Sequence, residues 1–266
     1  MTDENHLIFE EAGSGPAVLL IHGFPLCRRM WKPQMGALED RGYRGIAPDL
    51  PGFGRSPVPK KELRMADYAD EMLALLDRLD IERAVVVGMS MGGYVLLDLL
   101  ERHPRRLAGA VFAATRAGAD DSAAREKRTK LAEAVKGGSP DVVAESFETV
   151  LFAPETPKGD PALVEEVRGW MRATPPQGLV AGLIAMRDRK DYRRMLSDFH
   201  VPALVIGARE DRAIPVEESR YLDEQLPDSS LCILPEGGHM VNMEQPEQFN
   251  TCLLSFLDRL AEKQSW

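Results

Sequence analysis

Ala84-Val85-Val86-Val87-Gly88-Met89-Ser90-Met91-Gly92-Gly93 is the stretch on which the fold turns. A short apolar run rich in valine, closed by glycine, reads as a strand buried on both faces, the habit of parallel sheets. Met91 to Arg102 then carries apolar residues at helical spacing and stops before Pro104. A strand therefore passes into a helix through a turn whose apex is a serine flanked by glycines. Gly-x-Ser-x-Gly alone is weak, but between a strand and a helix it is the setting of a nucleophilic serine. Such a turn strains the serine backbone and leaves no room for side chains at 88 and 92. The helix that starts there aims free N–H groups and its positive dipole end at the same point. A helix-capping serine is the plain alternative, and the strand before it argues against that.

The same alternation continues on either side. Ala17–Ile21, Tyr43–Ala47, Leu107–Ala113, Ala203–Ile206 and Leu231–Leu234 read as further strands. Helices are expected over Arg28–Arg41, Ala66–Leu79, Pro215–Gln225 and Pro246–Leu260. Alternating strands and helices imply a doubly wound α/β fold, a mostly parallel sheet covered on both faces. From about Thr115 to Asp198 no strand pattern appears, only helical periods broken at Gly138–Pro140, Pro154–Pro161 and Pro175–Pro176. The expected organisation is a core built from residues 1–114 and 199–266, with a helical cap inserted over 115–198.

An alcohol needs a base to act as a nucleophile at neutral pH. Of the five histidines, His6, His103 and His200 have no companion motif. His239 follows the last strand in Pro235-Glu236-Gly237-Gly238-His239, a loop placed to present an imidazole at the carboxyl edge of the sheet, where open α/β sheets bind ligands. The base needs an acid to fix its tautomer. Asp211, after the strand Ala203–Ile206, gives the chain order Ser90, Asp211, His239 expected of this arrangement. Glu210, Asp120 and Asp121 are its rivals. The oxyanion needs two donors: the N–H of Met91, just after the serine, and one from His22-Gly23-Phe24-Pro25. Phe24 is favoured because Pro25 has no N–H, and His22 is expected to brace the loop.

These pieces resemble the α/β-hydrolase superfamily from about Ala12 to Leu260. The resemblance rests on His22-Gly23-Phe24-Pro25, Ala47-Pro48-Asp49 with Gly52-Phe53-Gly54-Arg55-Ser56, Gly88-Met89-Ser90-Met91-Gly92-Gly93, Val201 to Gly207, Asp211 and Gly238-His239. Within it the chain looks most like small carboxylesterases, 3-oxoadipate enol-lactonase-like enzymes and cofactor-free perhydrolases. That resemblance implies no cofactor, a helical cap, and hydrolysis of a small, mostly apolar ester or lactone through an acyl-enzyme. Carbon–carbon bond hydrolases, perhydrolases and ligand receptors share the same three residues. Asp49 and the turn Gly52–Ser56 match a loop of structural character. Relatives usually begin with a strand pair; here Leu7–Glu11 leaves room for one strand, so a sheet of seven to eight strands is expected. Haloalkane dehalogenases and epoxide hydrolases carry Asp where this chain has Ser90, which argues against their chemistry. Phe24, Trp31, Trp170, Leu183 and Met186 are candidates to touch substrate.

The net charge of −9, from 33 basic and 42 acidic residues, argues against nucleic acid, which is bound by neutralising phosphates. The polar start Met1–His6 is unlike a secretory leader, and no apolar run approaches the roughly 18 residues of a membrane span. The three cysteines, Cys27, Cys232 and Cys252, suggest neither a disulfide framework nor a metal site. Reduced thiols, no metal and a cytoplasmic location are expected.

Overall fold

The computed structural model describes residues 6–58 and 60–263; most of the polar start read at Met1–His6 lies outside them. Seven strands form one sheet: β1 Phe9–Ala12, β2 Ala17–Ile21, β3 Arg44–Pro48, β4 Ala84–Met89, β5 Leu107–Ala113, β6 Ala203–Ala208 and β7 Ser229–Leu234. Their order across the sheet is β1-β3-β2-β4-β5-β6-β7. All neighbours are parallel except β1, which pairs antiparallel with β3 from Phe9↔Pro48 to Ala12↔Gly45. Among the described residues β1 is the one strand before β2, so the count is seven.

Side chains alternate across a strand, and the central strands use that period to feed two cores. Leu19, Ile21, Val86, Ala110, Phe112 and Val205 meet one cluster, which holds residues of α2 (Met65–Arg78), α3 (Met91–Arg102) and α9 (Val216–Gln225). Val18, Leu20, Val85, Val87, Val111, Leu204 and Ile206 meet the other, with residues of α1 (Lys32–Asp40) and α11 (Pro246–Glu262). β2, β4, β5 and β6 are buried along their whole length, as their unbroken apolar runs require.

Two local expectations change. The helix expected over Arg28–Arg41 is a 3-10 turn, Arg28–Trp31, followed by α1 from Lys32. Pro33 has no N–H to give the carbonyl four residues back, so one α-helical ladder cannot run through it. The reduced thiols expected at Cys232 and Cys252 are instead joined in a disulfide, with Cα atoms 6.5 Å apart. α11 packs across β7 and brings together cysteines 20 residues apart. Cys27 is free and buried.

Between β5 and β6 the chain is helical: α4 Ser122–Lys136, α5 Asp141–Leu151, α6 Thr156–Gly159, α7 Pro161–Ala173 and α8 Pro176–Arg187. The places where it leaves and rejoins the sheet are clasped by Asp120. This buried carboxylate takes bonds from Arg116 at 2.8 Å, Arg189 at 2.7 Å, and Arg128. Arg189 also donates to the carbonyls of Gly118 and Met186, each at 2.8 Å. α8 docks onto the loops at the carboxyl ends of β2 and β3 through two glycines one turn apart. A Cβ at Gly178 would stand 1.8 Å from the Gly52 carbonyl oxygen, and one at Gly182 would stand 2.8 Å from both the Phe24 and Phe53 rings. Among the described residues no helix is long and apolar enough to cross a membrane.

Candidate active site

Ser90 stands between β4 and α3 with φ 52° and ψ −113°, in the half of backbone space that side chains avoid. Its N–H donates to the Ala113 carbonyl at 3.0 Å, and its carbonyl accepts the Thr115 hydroxyl at 2.8 Å and the Gly93 N–H at 2.9 Å. The turn is held tightly enough that no larger residue would fit at its flanks. A Cβ at Gly92 would lie 2.2 Å from the Ile21 carbonyl oxygen, and one at Gly88 would lie 2.4 Å from that of Gly92. Ser90 itself is half-buried while its neighbours Met89 and Met91 are fully covered.

Asp211 and His239 leave the carboxyl ends of β6 and β7, the edge from which Ser90 also rises. His239 Nδ1 lies 2.8 Å from Asp211 Oδ2, with both side chains almost wholly buried. A carboxylate can only accept, so Nδ1 is the donor and Nε2 is left as the acceptor. The other oxygen, Asp211 Oδ1, accepts the N–H groups of Ala213 at 2.8 Å and Ile214 at 2.9 Å. The aspartate is thereby fixed by its own loop.

The rival acids are placed elsewhere. Glu210 is exposed. Asp120 is taken up by its three arginines, and Asp121 caps α4 by accepting the Ala124 N–H at 2.8 Å.

His22 is fully buried, donating from Nδ1 to the Gly23 carbonyl at 2.8 Å and accepting the Leu50 N–H on Nε2 at 2.9 Å. Both nitrogens are used, as a loop brace requires. Burial, the larger effect, lowers its pKa against the pull of Asp49 and the Gly23 carbonyl. A depressed histidine pKa favours the fold above the ordinary value near 6.5 and loses that contribution as pH falls below it. Denaturant midpoints should therefore drop between pH 7.5 and 5.5, and His22→Gln should flatten that drop; an equal slope in both proteins would remove His22 from the account. Asp49, fully buried, accepts the N–H groups of Arg28 at 2.8 Å and Arg55 at 2.9 Å, so the turn beside His22 has the structural character read from its sequence.

Phe24 is buried against Phe53 and Phe147, with ring centroids 5.8 and 5.2 Å away. The Phe24–Pro25 peptide is cis. Met91 opens α3, so its N–H is one of the helix donors without an internal acceptor. Leu183 and Met186 share the packed cluster of Phe24 and Met91, whereas Trp170 belongs to the opposite one. Trp31 is fully buried, its ring centroid 6.1 Å from that of Phe249 of α11. Sequence reading passed over Thr115, Arg212 and Glu244. Thr115 bonds the Ser90 carbonyl, Arg212 bonds the Phe152 carbonyl, and Glu244 bonds Gly238 together with Ala153 and Thr156 far along the chain; no local spacing marks these contacts.

The sheet thus carries, at one edge, a serine on a strained turn and a buried Asp–His pair. Residues 16–246 match the model of the alpha/beta hydrolase fold, and the chain belongs to that family. It is 36% identical to a thermophilic esterase from Thermogutta terrifontis solved with malate bound, with a TM-score of 0.93 over 96% of this chain and 93% of that one. It is 28% identical to 3-oxoadipate enol-lactonase 2 of Acinetobacter baylyi, over 96% of this chain and 93% of the relative. It is 30% identical to the pimeloyl-[acyl-carrier protein] methyl ester esterase of Aeromonas hydrophila, over 90% and 94%. The chain is thus a hydrolase of the α/β family with esterase- and lactonase-like relatives.

Proposed function

We propose that this protein cleaves carboxylic esters or lactones of small, mostly apolar substrates by two-step acyl transfer. The observation that carries the reading is the strained, half-buried Ser90 at the same sheet edge as a His239–Asp211 pair whose hydrogen bond leaves Nε2 as the acceptor.

In the first step Ser90 Oγ attacks the carbonyl carbon and His239 Nε2 takes the hydroxyl proton. Asp211 holds the imidazole and stabilises its charged form. The N–H groups of Phe24 and Met91 receive the oxyanion, a contribution of about 3 kcal/mol for one such donor. Collapse breaks the ester bond, His239 returns its proton to the leaving alcohol, and the acyl group stays on Ser90. Water, deprotonated by His239, then releases the acid. The helices between β5 and β6 act as a cap, with Leu183 and Met186 offered to the acyl chain and Trp170 as the third cap candidate. In a lactone the leaving alcohol remains tethered to the product.

Steady turnover of short-chain p-nitrophenyl esters is expected, with a fluorophosphonate attaching once per chain, at the peptide that holds Ser90. A single burst without turnover would favour a receptor. Inertness toward esters together with cleavage of a β-diketone would make this a carbon–carbon bond hydrolase instead.

A further inference from the structure

Among the carboxylates that the acyl-transfer scheme leaves unused, the partly buried Glu244 lies against the His239 loop. Glu244 ends the short helix α10 (Val241–Glu244), five residues beyond His239, and three donors from two parts of the chain converge on it. Oε1 accepts the Gly238 N–H at 3.0 Å. Oε2 accepts the Ala153 N–H at 2.8 Å and the Thr156 hydroxyl at 2.5 Å. Gly238 immediately precedes His239, whereas Ala153 and Thr156 belong to the helical segment.

The contact between these two regions is close. A Cβ on Gly238 would fall 2.2 Å from the Ala153 nitrogen and 2.5 Å from the Phe152 carbonyl carbon. The Met240 N–H donates to the Leu151 carbonyl at 2.9 Å, and Arg212 donates to that of Phe152 at 3.2 Å. Leu151, Phe152 and Ala153 thus bond in turn the residue after His239, the residue after Asp211, and Glu244. Burial raises the Glu244 pKa, while its three donors and nearby His239 pull it down. Bonds from such donors to a carboxylate are charge-assisted and about twice as strong as neutral ones.

We propose that Glu244 is a positioning residue, its carboxylate locking the His239 loop to the strap Leu151–Ala153 so that the place of the imidazole depends on the helical segment. The proposal rests on His239 being the base, as set out above. A glutamine has one acceptor oxygen and turns its NH₂ group toward either the Gly238 donor or the Ala153 and Thr156 donors. One end of the bridge must then open. A displacement of about 1 Å in a catalytic group costs on the order of 100-fold.

The test compares wild type, Glu244→Gln, Thr156→Val and Ser90→Ala on p-nitrophenyl acetate, and records the low-field Nδ1–H proton resonance of His239. Glu244→Gln is expected to lower kcat about 10- to 100-fold with KM within about twofold, and to shift or broaden that resonance. Thr156→Val removes one donor and leaves Glu244 charged; it should lower kcat several-fold in the same direction, and it carries the test if Glu244→Gln does not fold. Wild-type kcat in both variants overturns the proposal, as does a loss of kcat with the resonance unmoved, since the loss then arises elsewhere. Full activity in Ser90→Ala overturns the serine-hydrolase reading instead. The His239 resonance in Glu244→Gln still decides in that case whether Glu244 holds the ring.

Discussion

Ser90→Ala is expected to lower kcat for ester hydrolysis by about 10⁴-fold or more, the effect of removing a triad member. KM should change little, because the hydroxyl contributes to the transition state rather than to binding. The fold should survive the change. The contacts that hold the turn come from the Ser90 backbone, through Ala113, Gly93 and Thr115, and an alanine keeps all of them. A second variant sharpens the test. At φ 52° a side chain costs about 1–3 kcal/mol, so Ser90→Gly should be inactive and more stable than Ser90→Ala. Calorimetry on the pair, run beside the esterase assay, would show both. An active Ser90→Ala would remove the serine from the mechanism.

Asp211→Asn is expected to lower kcat by up to about 10⁴-fold, through the tautomer rather than through geometry. Asp211 Oδ2 accepts from His239 Nδ1 while Oδ1 is held by the Ala213 and Ile214 amides. An asparagine keeps its oxygen on those two amides and turns its NH₂ group to the histidine. Nδ1 must then accept, and the proton moves to Nε2, where it blocks the serine. The loss should ease as pH rises far enough for hydroxide to compete, whereas Ser90→Ala should show no such recovery. A silent Asp211→Asn would place the acid elsewhere, with exposed Glu210 the first to test.

The sheet was legible from sequence because buried parallel strands are short apolar runs, and every run read as a strand lies in the sheet. The serine turn was legible because steric demands write themselves as glycines on either side. The meeting of His239 with Asp211 was legible from chain order and the loops that carry them. What stayed hidden depends on distant pieces of chain meeting. The pairing of Cys232 with Cys252 requires knowing that α11 crosses the edge strand. The contact of Trp31 with Phe249, more than two hundred positions away, is equally invisible to local pattern. Glu244 looks like one more acidic residue before a proline, since its donors at 153 and 156 lie in a segment whose helices show only their own periodicity. Asp120, a rival acid by position, meets three arginines that no local pattern brings to it.

The glycine contacts of α8 bear on how that helix is seated. Glycine inside a helix costs about 1 kcal/mol relative to alanine, and α8 carries glycines at 178 and 182, where Cβ atoms would strike Gly52, Phe24 and Phe53. Intrinsic helix stability is given up there for depth of seating. The seat is therefore set by small residues and main-chain atoms, and Leu179, Leu183 and Met186 beside them are packed into the core. Larger residues at 178 or 182 should therefore lift α8 off the loops at the carboxyl ends of β2 and β3.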